Sequence, residues 1–292
     1  MKTGLVMEGG GMRGMFTAGV IDVFMEKGIT FDGAVGTSAG VVFGANIKSE
    51  QHGRAIRYNL RFAKEPKYCS FRSLVKTGDI FGEEFCYQAI LHELDPFDLE
   101  AYAANPMVFY ACSTSTETGK AVYRNVSKGT EEDMKWFRAS SSMPLVSRPV
   151  EIRGKTYLDG GLSDSVPLRF LEKKGYDRNV VVLTQPIDYI KKPNKLVPAA
   201  KVMLKEYPAI IRAMEERHLK YNRTYKYIRR QEEAGQCFVI RPKEKLKIGN
   251  ICHDTEVLIR VYEAGRAAAF EALPGMMRYL AGEETETREP SL

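Results

Sequence analysis

Thr30-Phe31-Asp32-Gly33-Ala34-Val35 runs straight into Gly36-Thr37-Ser38-Ala39-Gly40, and small or apolar residues follow from Val41 to Lys48. The first segment reads as a short strand and the last as a helix. Between them lies a G-x-S-x-G turn. Such a turn lifts a serine hydroxyl clear of a sheet edge, because its small flanking residues let the backbone reverse sharply. The helix start beneath it supplies unpaired N–H groups and partial positive charge, both of which favour a developing oxyanion. By composition alone the pattern arises by chance in about one chain in ten of this length. The strand before it and the helix after it distinguish it from a glycine turn with an idle serine.

Upstream the same order occurs. Gly4–Met7 reads as a buried strand and Gly9-Gly10-Gly11-Met12-Arg13-Gly14 as a loop. Met15–Lys27 then has helical spacing, with Phe16, Val20, Val23 and Phe24 on one face and Gly28 as the stop. Strand–loop–helix twice over implies a parallel sheet with helices on its faces. The glycine loop fits G-x-G-x-x-G, a dinucleotide fingerprint. That reading wants an acid at the C-terminal end of the second strand, but Asp32 stands near its start and the serine turn occupies its end. The alternative is an oxyanion hole: consecutive glycines present open N–H groups beside the serine at the carboxyl edge of the sheet. We favour that alternative because it absorbs both motifs.

Downstream, Gln51–Asn105 reads as mostly helical and polar. Apolar residues from Gln51 to Phe97, such as Leu60, Phe62, Phe71, Phe81 and Phe85, form either plain core or a lid over an acyl chain. Met107–Ser113 and Ala121–Arg124 read as strands, and Thr130 with Asp133 as a capping box opening a helix. Val150–Ile152 and Thr156–Leu158 form a hairpin about Arg153-Gly154, ending in Asp159-Gly160-Gly161. A serine hydroxyl needs a base, and no histidine stands near a strand-end turn. A carboxylate serves if it reaches the hydroxyl and is shielded from water, and glycines after Asp159 allow close approach. Alone, Asp-Gly-Gly would read as a surface turn. Pro167–Lys174 is a helix and Val180–Thr184 a strand buried on both faces. After Pro186 come basic helices over Pro198–Met214 and Glu215–Glu233, a strand at Cys237–Ile240 and a helix over Asp254–Leu280.

This order gives one domain. Its catalytic core spans 1–186, a basic helical section packed on the same domain spans 187–281, and a polar tail spans 282–292. The 292 residues, 44% hydrophobic and 27% charged, suffice for a sizeable core and disfavour disorder or a coiled coil. No apolar run approaches the ~18–20 residues of a membrane span, and Glu8 with its glycines breaks the N-terminal apolar stretch too early for a secretory signal. Five cysteines and four histidines are scattered, which argues against a disulfide framework or a metal site and for a cytoplasmic location. The net charge of +6 is uneven: Tyr189–Lys247 carries 16 Lys/Arg against 6 Asp/Glu. That excess is either a solvated face or a surface for anionic membranes; no nucleic-acid motif accompanies it.

The glycine loop with its Arg13, the Gly36–Gly40 turn and Asp159-Gly160-Gly161, in this order, resemble the patatin-like phospholipase family, bacterial patatin-like acyl hydrolases in particular. Ala139-Ser140-Ser141-Ser142-Met143-Pro144 is similar to the family's approach to its aspartate, and the resemblance covers roughly Thr3 to Leu183. It implies a three-layer α/β/α fold with a mostly parallel central sheet, and hydrolysis of lipid acyl esters without metal or other cofactor. Ser38 would be the nucleophile, Asp159 the base, and N–H groups of Gly9, Gly10, Gly11 and Ala39 the oxyanion hole. Arg13, Gly14, Gly36, Gly40, Gly160 and Gly161 would support that geometry. The chain departs from the family at Glu8, where the family often has aspartate. An acyltransferase or thioesterase on the same site, or a non-catalytic lipid-binding scaffold, are the rival readings.

Overall fold

The computed structural model describes residues 1–283, so most of the expected polar tail lies outside the described residues. The chain begins with β1 (Thr3–Met7), α1 (Gly14–Glu26), β2 (Gly33–Thr37), α2 (Ala39–Val42), α3 (Ala45–Lys48), α4 (Arg54–Phe62) and α5 (Phe71–Thr77). A π-helix over Phe85–Leu94 leads to α6 (Leu99–Ala104), β3 (Val108–Ser115), β4 (Ala121–Asn125), α7 (Glu131–Ser141), β5 (Val150–Ile152), β6 (Lys155–Asp159) and α8 (Leu168–Lys173). Then come β7 (Arg178–Val182), α9 (Val197–Met203), α10 (Pro208–Glu233), β8 (Cys237–Ile240) and α11 (Thr255–Ala281).

The described strands form one sheet in the order β5-β6-β3-β2-β1-β7-β8, with β4 also paired to β3. The run β3-β2-β1-β7-β8 is parallel throughout, and β4, β5 and β6 are antiparallel to their neighbours. Successive side chains of a strand point to opposite faces. Accordingly Leu5 and Met7 enter one apolar cluster with α1 and α11, through Phe16, Val20, Leu258 and Val261. Val6 enters another with α8 and α10, through Leu171, Tyr221, Tyr225 and Ile228. β1, inside the parallel run, is therefore buried on both faces, and the fold is the expected three-layer α/β/α.

Several boundaries differ from expectation for physical reasons. β2 starts at Gly33 rather than Thr30, because Asp32 is used as a clamp: its Oδ2 accepts from the Thr3 N–H at 2.6 Å and from Thr3 Oγ1 at 3.0 Å. The helix expected over Val41–Lys48 is two short helices, parted where Gly44 packs against Met7 of β1. The basic helices divide at Leu204–Tyr207 rather than at Met214, since Pro208 is suited to the first turn of α10. The capping box at Thr130 and Asp133 is present.

β3 acts as the ruler for the site. Thr37 of β2 lies opposite Cys112 of β3, and Asp159 of β6 lies opposite the next residue, Ser113. The chain segments that carry Ser38 and Asp159 thus leave the sheet side by side, despite 121 residues of separation.

Candidate active site

Ser38 occupies the sharp turn between β2 and α2, with φ 55° and ψ −123°. A non-glycine residue in that region costs of order 1–3 kcal/mol and persists only where its surroundings enforce it. Here they do. A Cβ on Gly36 would fall 2.4 Å from the Gly40 carbonyl oxygen, and one on Gly40 would fall 2.4 Å from that of Met7. The two glycines let the turn close on itself and on β1. The Ser38 N–H donates to Ser140 Oγ at 2.9 Å, and Ser140 Oγ donates to the Cys112 carbonyl at 2.6 Å. The 139–144 segment therefore braces the turn from α7.

Ser38 Oγ donates to Asp159 Oδ2 at 2.7 Å. The other carboxylate oxygen accepts from the Gly161 N–H at 2.7 Å. The Asp159 main chain is fixed at both ends: its N–H donates to the Ser142 carbonyl at 2.8 Å, and its carbonyl accepts from Thr114 Oγ1 at 2.8 Å. The side chain is only 6% exposed. Burial raises the Asp159 pKa above the ordinary carboxylate value, against the opposing pull of the Ser38 and Gly161 hydrogen bonds and the Arg217 charge. A carboxylate so shielded is a stronger base than one in water. Among the described residues no histidine bonds either side chain, although His218 lines the cavity they share.

Of the main-chain donors expected around the hydroxyl, Gly9 is withdrawn: its N–H donates to the Ser165 carbonyl at 3.2 Å. It is held inward where the loop crosses Thr37. The N–H groups of Gly10, Gly11 and Ala39 meet no acceptor among the described residues. Gly11 has φ +55°, and a Cβ there would lie 2.6 Å from the Asn250 carbonyl oxygen. Its backbone conformation and this close approach both require glycine. Arg13 Nη1 donates to Asn250 Oδ1 at 3.0 Å, and Gly14 packs against Ala39 at the start of α1. Gly160 and Gly161 are buried directly after Asp159.

Two cavities meet at Ser38 and share only Ser38, Gly11 and Met143. The first, about 130 Å³, is narrow and apolar, lined by Phe43, Tyr58, Tyr68, Phe81, Ile90 and Phe137 among others. Of Leu60, Phe62, Phe71, Phe81 and Phe85, Phe81 alone lines it, while Tyr58, Tyr68, Ile90, Leu91 and Phe97 of the same 51–97 stretch line it too. Phe62 is core, packed edge-on to Phe85 at 5.3 Å, and Phe71 is exposed on α5. The π-helix contributes Cys86, Tyr87, Ile90 and Leu91; its wide turn carries the Asp95 N–H to the Ile90 carbonyl. The second cavity, about 1090 Å³, is broad and basic.

Helix α10 brings residues to the site that the motifs did not reveal. Arg217 Nε donates to the Gly161 carbonyl, directly behind Asp159. Glu8, just before the glycine loop, is buried; it accepts from the Tyr221 hydroxyl, from the Tyr225 hydroxyl at 2.8 Å and from the Thr184 N–H at 2.6 Å. The longer side chain at position 8 thus anchors α10 under the loop. Arg217, Tyr221 and Tyr225 stand at i, i+4 and i+8, a stripe that the sequence contained all along.

A family model described as patatin-like phospholipase matches residues 5–171, and one described as a domain of unknown function matches residues 207–281. The uncharacterized protein YjjU of Escherichia coli (strain K12) is 31% identical over 190 residues, 63% of this chain and 52% of that protein. Lysophospholipase NTE1 of Scheffersomyces stipitis is 29% identical over 180 residues, 59% of this chain and 11% of that protein. The chain thus spans about half the length of the first relative and about a tenth of the second. The crystal structure of VipD from Legionella pneumophila aligns over 94% of this chain and 67% of that one, with a TM-score of 0.47 and 12% identity.

Proposed function

The chain belongs to the patatin-like phospholipase family, and from that premise we propose that it is a serine hydrolase of lipid acyl esters, with Ser38 as nucleophile and Asp159 as base. The observation that carries this reading is the 2.7 Å hydrogen bond from Ser38 Oγ to the buried Asp159 carboxylate, beside three uncommitted N–H groups. Asp159 takes the hydroxyl proton as Ser38 Oγ attacks the ester carbonyl. The carbonyl oxygen gathers negative charge, and N–H groups of Gly10, Gly11 and Ala39 are the donors available to it. When the tetrahedral intermediate collapses, the alcohol leaves with the proton from Asp159 and the acyl group remains on Ser38. Water then attacks the acyl-enzyme, its proton going to Asp159 and back to Ser38, and the fatty acid departs. The narrow apolar cavity suits the acyl chain. A carboxylate is a weak base, so most of the rate enhancement falls to the amide donors and to positioning.

A fluorophosphonate probe tests the assignment. It should label the wild-type chain at Ser38, and Ser38→Ala should lose both labelling and ester hydrolysis. Activity of Ser38→Ala within a few-fold of wild type would remove the nucleophile. No labelling at all would favour a lipid-binding scaffold. A transferase or thioesterase would label equally and differ in its products. We further place the protein in the cytoplasm, meeting anionic membranes through exposed cations of α10 such as Arg212, Arg223 and Lys226. Flotation with anionic but not neutral vesicles is the expected outcome; equal behaviour with both would refute that contact.

A further inference from the structure

The broad cavity beside Ser38 is lined by seven Lys/Arg and three Asp/Glu. Three of the cations lie half-buried in it: Arg13 from the glycine loop, Lys191 from the segment after β7, and Arg217 from α10. None has a carboxylate partner within salt-bridge distance among the described residues. Arg13 Nε is buried with no hydrogen-bond acceptor among the described residues. Lys191 Nζ sits 4.3 Å over the Tyr221 ring and 5.6 Å from that of Tyr189, while its main chain is pinned by Asn222. Burial and the neighbouring Arg217 and Arg13 charges bring the Lys191 pKa down to about 8, with Glu8 pulling the other way. Glu8 already accepts from Thr184, Tyr221 and Tyr225.

Three cations gathered in one partly desolvated cavity repel one another, and an anion offsets that cost. A quaternary ammonium group would need open aromatic faces, but Lys191 already covers Tyr189 and Tyr221. We propose that Arg13, Lys191 and Arg217 bind the phosphate of a phospholipid whose headgroup is net negative, while its acyl ester lies at Ser38. The enzyme therefore prefers anionic to zwitterionic phospholipids. This rests on the hydrolase reading above and adds a substrate class to it. The cavity geometry agrees: Ser38 stands at the joint, with the apolar cavity for the chain and the basic one for the headgroup.

The test compares lysophosphatidylglycerol with lysophosphatidylcholine of the same acyl chain, using the full chain and a p-nitrophenyl ester as headgroup-free reference. Wild type should show a kcat/KM ratio of about tenfold or more for the glycerol headgroup, because charge-assisted bonds to phosphate are strong but screened. Lys191→Gln should reduce that ratio severalfold, chiefly through KM, and Lys191→Arg should retain it. Lys173→Gln, exposed on α8 and outside the cavity, should leave it unchanged. If Lys191→Gln does not fold, Lys192→Glu at the exposed rim should lower the ratio instead. A wild-type ratio near one, or a ratio that survives in folded Lys191→Gln, overturns the headgroup assignment. In that event, competitive inhibition by inorganic phosphate would mark a free-anion site instead. The reference ester keeps the two readings apart: its cleavage by wild type and not by Ser38→Ala upholds hydrolysis whatever the ratio. If no ester is cleaved, calorimetric binding of the two lysolipids to the Ser38→Ala protein still decides the headgroup.

Discussion

The turn around Ser38 and the stretch of α10 around Arg217 line the same cavity, but different constraints hold them there. The turn is set by its own backbone: glycines at 36 and 40 that no larger residue can replace, and a strained φ at Ser38. The α10 stretch is an ordinary helical segment whose place depends on side chains reaching elsewhere: Tyr221 and Tyr225 to Glu8, and Arg217 to the Gly161 carbonyl. A site built by backbone geometry leaves a motif in the sequence. One built by tertiary contact leaves only a stripe that resembles a solvated helix face. If this contrast is right, damage at the turn should be all-or-none, and damage on α10 should be graded.

The largest expected effect lies at the dyad. Ser38→Ala and Asp159→Asn should each cost about 10³-fold or more in kcat/KM on a p-nitrophenyl ester, and the double variant little beyond the worse single one. The two groups share one proton transfer, so removing either disables it. Additive losses would mean that Asp159 acts apart from Ser38, and that their hydrogen bond is structural.

Next comes Glu8, where the two regions join. Glu8→Gln keeps the shape but turns an amide nitrogen toward one of the donors that Glu8 now accepts from. Leaving a buried donor unmatched costs about 1–3 kcal/mol. Tyr225→Phe removes one of the three donors. Chemical denaturation of both singles and the double should show a coupling of about 1 kcal/mol between positions 8 and 225. Independent effects would detach α10 from the glycine loop energetically and undo the contrast.

The same contrast explains how much was legible. The alternating strands, the Thr130–Asp133 capping box and the Cys237–Ile240 strand follow from local rules of period, turn and cap, and all are present, whereas the hydrogen bond between Ser38 and Asp159 spans 121 residues and was legible only through the order of the three motifs. In sequence β2 reads as starting at Thr30, because Thr30 and Phe31 have strand chemistry, while the Asp32 clamp on Thr3 that moves its start to Gly33 is a long-range contact. In sequence Gly9 reads as a donor like its neighbours, since nothing in three consecutive glycines tells which N–H the Ser165 carbonyl takes. Phe71 and Phe62 looked alike as aromatics, yet one is 74% and the other 7% exposed, because only the second faces a partner across helices. Arg217 was hidden in an excess of charge. Its spacing from Tyr221 and Tyr225 marked one helix face with polar tips, but nothing on α10 named Glu8 as the acceptor.

The smallest effect is the one that sharpens the contrast most. Asp159 must be ionised to act as a base, and burial raises its pKa, so kcat/KM should fall as the pH drops through a value above the ordinary carboxylate range. The Arg217 charge favours the ionised form and partly offsets burial. Arg217→Gln removes that help, so the acid limb should move to higher pH, while Arg217→Lys should hold it near its original position. The neutral p-nitrophenyl ester is the substrate for this profile, which keeps any headgroup contact out of the measurement. A helix that merely props the Gly161 carbonyl would change the height of the profile and leave its midpoint in place. A shifted midpoint instead makes α10 an electrostatic partner of the base. In that case the basic C-terminal section tunes the chemistry that the glycine turns assemble.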